Sequence, residues 1–140
     1  MGSPWLLVLL TLPWLGALCV AAVGQQRAKL ANTLALLAIA LCLVPMAVLK
    51  DRAGQAVQLD WIPSLGISLG LALDCLALPF LVNVMGVTLL ALLYGRGYFD
   101  HTESVQLAYA LILAFAASMV GTLLATDVFV FFVFWELMLL

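Results

Sequence analysis

Charge is what this 140-residue chain has least of: Asp, Glu, Lys and Arg together make up 9% of it, against about 25% in ordinary soluble domains. Five basic residues set against seven acidic ones leave a net charge of −2. A nucleic-acid surface needs a basic patch, and this sequence has none. Only one histidine is present, which excludes a haem held by paired membrane histidines. The three cysteines, Cys19, Cys42 and Cys75, are odd in number and contain no CxxC pair. They read as small apolar residues, with no disulfide framework and no metal site. Gly95-x-Gly97 lacks the third glycine of a dinucleotide fingerprint and follows an apolar run where that fingerprint follows a strand. No cofactor site is therefore assigned.

What the chain has instead is apolar length. It is 67% hydrophobic, with a mean hydropathy of +1.27. A soluble domain of this size could not bury that much apolar surface, so the solvent is lipid. The expected class is an all-α polytopic membrane protein of about five transmembrane helices, the last incomplete, with a short surface β-hairpin between the second and third. The first run spans Pro4 to Gly24 and lacks the basic flank of a signal peptide. The second runs from Leu30 to Leu49, with Pro45 near its far end, and these two form a first unit over 1–50.

Residues 51–74 form the polar interlude. Val57, Leu59 and Trp61 alternate with Gln58 and Asp60, and Ile67, Leu69, Leu71 and Leu73 alternate with Ser68, Gly70 and Ala72. Period 2 predicts strands, with Pro63-Ser64 as the turn. The third unit, 75–140, holds the remaining helices. One runs from Cys75 to Tyr94 with Asp74 as N-cap, and one from about Ser104 to Ala125. Between them, Gly95 to Glu103 reads as a loop that includes His101, a solvated residue or a surface proton feeder. Asn83 is expected to be interhelical glue, and Ser118 and Gly121 to permit close packing. Trp5, Trp61, Tyr94, Tyr98 and Tyr109 are candidate interfacial anchors. Arg27, Lys29 and Arg96 outnumber Lys50 and Arg52, a weak bias toward an N-terminus outside.

The final run, D-VFVFFVFWELMLL, opens on Asp127, its expected cap, and is interrupted by Glu136. About nine residues into a helix places that carboxylate ~13 Å deep, inside a hydrocarbon core of roughly 30 Å. Ionisable groups at such depth are costly and belong by default to ion or proton paths; the bland alternative is a structural acid bonded to a neighbouring helix. The run to Leu140 is shorter than the roughly 20 residues a spanning helix needs. Continuation beyond Leu140 is the expectation, with a split subunit completed by a partner as the alternative.

Four blocks carry a resemblance: WIPSLGI at 61–67, LALDCLALPF at 71–80, LLYGRGYF at 92–99 and ASMVGTLLATDVFVFFVFWELMLL at 117–140. They resemble the N-terminal part of the antiporter-like membrane subunits of respiratory complex I (the NADH-quinone oxidoreductase chain 5 type) and of Mrp-type cation/proton antiporters. Cys75 departs from the glycine usual in that family after the aspartate. The resemblance implies a translocating subunit in which Glu136 carries the proton and pairs with a lysine on a helix further along the chain. Its partners would be the lipid bilayer, other membrane subunits of a multisubunit complex, and protons or sodium exchanged for protons. It also implies a multi-pass location in a cell's inner (plasma) membrane, or in an organelle's inner membrane. Any oxidoreductase activity would belong to the assembly, since no redox centre sits on this chain. A non-transporting scaffold subunit and an unrelated small multispanning carrier or sensor are the competing readings.

Overall fold

The computed structural model describes residues 4–23, 27–50, 54, 56–62, 64, 66–99 and 104–139. Apolar runs too long to be broken by their few polar residues become helices, because in lipid the backbone must satisfy its own hydrogen bonds. They are α1 (Pro4–Ala21), α2 (Ala28–Leu49), α3 (Ala77–Tyr98), α4 (Val105–Leu124) and the shorter α5 (Val128–Leu139). The first four are long and apolar enough to cross a bilayer. Between α2 and α3 lies an antiparallel hairpin, β1 (Ala56–Ile62) and β2 (Ile67–Ala72). The chain is thus a multi-pass membrane protein with the predicted hairpin in the predicted place.

Helix α4 is the hub, touching α1, α2, α3 and α5, while α1 also packs on α2. Small residues set these distances. A Cβ at Gly16 of α1 would meet the Cβ of Ala38 in α2 and a methyl of Leu113 in α4, and one at Gly121 of α4 would collide with the ring of Phe134 in α5. The core between the helices includes Leu6, Leu9, Ile39, Leu92, Leu113 and Leu124. Elsewhere, large apolar side chains such as Leu18, Phe80, Leu90 and Leu111 stay exposed, as suits a lipid solvent.

Three expectations need correcting. Helix α3 does not stop at Tyr94 but runs on to Tyr98. Gly95 is buried beneath the rings of Phe99 and Tyr109, so tertiary packing overrides its poor helix propensity. Tyr109 is no interfacial anchor: it is 2% exposed and meets Phe99 edge-on at 5.5 Å. The alternation of β1 meets a register shift between Asp60 and Ile62, and Leu59 and Trp61 are both exposed although Val57 two residues earlier is buried. Asp51, Arg52, Pro63, Asp100, His101 and Glu103 lie outside the described residues, so of the expected Pro63-Ser64 turn only Ser64 is described.

Gly121→Leu should therefore overpack the α4–α5 contact and cost about 1–3 kcal/mol. The expected reading is a lowered thermal midpoint of the full-length protein in detergent, partly restored by adding Phe134→Ala. An unchanged midpoint would show that α5 does not rest on α4.

Candidate functional site

The position of Glu136 is set from the hairpin outward. The residues joining α4 to α5 pair with the edge of β2. Thr126 N–H donates to the Gly70 carbonyl at 3.0 Å, and Ala125 bridges Leu71 in antiparallel fashion. A side chain at Gly70 would run into Thr126 Oγ1, so the close approach needs glycine there. Asp127 then starts α5: its Oδ1 accepts from Phe129 N–H at 2.8 Å and its carbonyl from Phe131 N–H at 2.9 Å. Trp61 of the hairpin sits 6.0 Å from the ring of Phe129, holding the first turn from outside.

From that anchored start, α5 presents two faces. Phe134 packs on Gly121, and Val130 is the buried residue of the helix. Glu136 lies two residues further on, about 200° round the helix from Phe134, and its side chain is exposed. It stands with Phe129, Phe132, Val133 and Leu137 along an open groove of about 430 Å³. The groove is apolar except for the carboxylate, so Glu136 is displayed on the face of α5 turned away from α4.

The other polar residues divide clearly. Asp74 caps α3 as expected, its Oδ1 accepting from Ala77 N–H at 2.5 Å, although two turn residues intervene before the helix proper. Ser118 donates to the Ala114 carbonyl of its own helix at 2.9 Å. Asn83, expected to bond between helices, is instead exposed. It lines apolar grooves beside α4 with Val84 and Met119, because its phase on α3 places it among the outward-facing Phe80, Val87 and Leu90. The interhelical bond belongs to Asn32: its Nδ2 donates to the Leu92 carbonyl across the α2–α3 contact at 2.8 Å. The signal for Asn32 was present in the sequence, as a lone amide flanked by small residues that mark a packing face. Glu136, Asn83 and Asn32 are not gathered into one cluster, and among the described residues no group of three or more His, Cys, Asp or Glu could hold a metal.

With this geometry in hand, comparison with known proteins becomes informative. Residues 61–107 match the family described as NADH-ubiquinone oxidoreductase (complex I), chain 5 N-terminus. Over 79 residues, 56% of the chain, it is 35% identical to the Na(+)/H(+) antiporter subunit A1 of Staphylococcus aureus (strain bovine RF122 / ET3-1). Its fold superposes on a chain of the Mrp complex from Dietzia sp. DQ12-45-1b with a TM-score of 0.70, at 30% identity and over 91% of its length. The chain is a relative of the antiporter-like membrane subunits. A chain of the membrane-bound sulfane sulfur reductase, an archaeal respiratory membrane complex, shares the fold over 94% of the length, with a TM-score of 0.70 and 24% identity. This chain spans only 10% of the Staphylococcus subunit, 14% of the Dietzia chain and 21% of the reductase chain. The family match ends before α5, so the exposed Glu136 stands on geometry and on its own sequence block.

Asp127→Ala should loosen the first turn of α5 by about 1 kcal/mol, whereas Asp127→Asn, an equally good cap, should be close to neutral. Faster amide exchange at Phe129 in the alanine variant alone is the expected result. Equal exchange in both variants would show that the Asp127 carboxylate does not hold this turn.

Proposed function

We propose that this chain is the N-terminal portion of a proton- or cation/proton-translocating membrane subunit, in which Glu136 is the intramembrane acid. The observation that carries this reading is the placement of one carboxylate ~13 Å along a helix, on an apolar face that its own bundle leaves open. A carboxylate must be reachable by a proton or cation before it can load or release one. A face open to an incoming group is what such loading and release require. The relatives support the class: one is described as a subunit of an Na(+)/H(+) antiporter, and another belongs to an Mrp complex. Assembly with other membrane subunits in one multisubunit complex is part of the same proposal, as are the three units 1–50, 51–74 and 75–140.

The test uses the full-length subunit in its assembled complex, in inverted membrane vesicles. Glu136→Gln keeps the shape and removes the proton site. Proton uptake should fall at least tenfold while the complex still assembles, with Glu136→Asp retaining part of the activity. Undiminished transport in an intact Glu136→Gln complex would leave the subunit a scaffold and assign the acid a structural role.

A further inference from the structure

We propose that the end of the bundle where α2 and α4 begin and α3 ends seats the headgroup of an anionic glycerophospholipid, one bearing a phosphodiester and a free hydroxyl. This site is separate from Glu136 and does not depend on the reading of that residue.

The first support is electrostatic. Three of the five basic residues, Arg27, Lys29 and Arg96, stand at this end, against two acidic residues, Asp100 and Glu103, in the α3–α4 link of the sequence. Among the described residues, neither Arg27 before α2 nor Ser104 before α4 makes a side-chain cap hydrogen bond, and the positive ends of two helix dipoles face the same region. Arg96 in the last turn of α3 offsets the opposite polarity of that helix. The weak positive-inside bias points this end toward the leaflet that carries anionic lipid.

The second support is a built polar crevice. Lys29, Asn32, Arg96, Phe99 and Tyr109 line a recess of about 40 Å³, room for a small polar group but not for an acyl chain. Asn32 is 1% exposed. Its Nδ2 must face the Leu92 carbonyl to which it donates, which fixes the amide and leaves Oδ1 buried without a hydrogen-bond partner. An unpaired buried acceptor costs about 1–3 kcal/mol, and what satisfies it must bring a donor. A headgroup hydroxyl supplies the donor, and its phosphate meets Lys29 and Arg96. The exposed Leu30, Leu93 and Leu107, in the same turns of α2, α3 and α4, offer acyl chains an apolar surface. That pairing favours a lipid over free phosphate.

The test takes the full-length protein, delipidated in detergent, and titrates phosphatidylglycerol, phosphatidylmethanol, phosphatidylcholine and inorganic phosphate while following the thermal midpoint. Phosphatidylglycerol should raise it by several degrees, with phosphatidylmethanol, which lacks the hydroxyl, weaker. Lys29→Gln with Arg96→Gln should weaken the apparent affinity for phosphatidylglycerol at least tenfold, and Lys29→Arg with Arg96→Lys should keep it. Both positions are exposed, so these substitutions leave the buried core unchanged. Asn32→Ala should erase the preference for phosphatidylglycerol over phosphatidylmethanol. Equal stabilisation by phosphatidylcholine, an equal response to inorganic phosphate, or full affinity in the glutamine pair would overturn the proposal.

Discussion

The corner between α4 and α5 carries the constraint on which the rest of this structure depends. Two helices that meet at a tight connection in lipid must account for the backbone groups freed at the turn. Here the hairpin does so. Gly70 accepts from Thr126, Leu71 bridges Ala125, and Asp127 caps the helix that follows. Because Gly70 has no side chain, Thr126 can approach the strand closely. Because Gly121 has none, Phe134 can lie flat on α4. Direction and phase of α5 are fixed by these contacts together, and the outward display of Glu136 follows from the phase. The hairpin thereby sets the phase in which α5 displays its carboxylate.

Helix count, hairpin and both aspartate caps were legible in the sequence, since each rests on a local signal: run length, period 2, or an acid just before an apolar run. What was not legible came from packing. Gly95 and Gly97 read as loop formers, but the rings of Phe99 and Tyr109 lie against Gly95 and helix α3 runs through both. The bulge in β1 depends on cross-strand register, which alternation alone does not reveal. Asn32 and Asn83 look alike as isolated amides in apolar runs, yet one is buried and the other exposed. Their neighbours distinguish them. Asn32 shares its face with Ala35, Ile39 and Cys42, all buried, whereas Asn83 shares its face with Phe80, Val87 and Leu90, all exposed. Small neighbours predict a packing face better than the polar residue itself does.

The hydroxyl groups sharpen this account. Thr11, Thr33, Thr88, Ser118 and Thr122 each donate to the carbonyl four residues back in their own helix. A short hydroxyl can always be satisfied this way, so it carries little information about partners. Amides and carboxylates cannot rely on that device. Among the described residues in α2, α3 and α5, that leaves Asn32, Asn83 and Glu136 as the uncharged amides and acid whose environment must be made by something other than their own helix.

Those three meet the requirement to different degrees. Asn32 finds half its complement inside the bundle, through Leu92, and keeps one acceptor open at the charged end. Asn83, about six residues into α3 and so ~9 Å from its start, lines grooves whose other polar residues, Thr88 and Thr122, bond to their own helices. Glu136 lines an otherwise apolar groove on α5. Hydrocarbon satisfies neither an amide nor a carboxylate, and the cost of leaving them there exceeds what the surrounding apolar contacts return. A lipid-facing helix would gain by replacing both with leucine. Both faces are therefore placed for contacts that hydrocarbon cannot make.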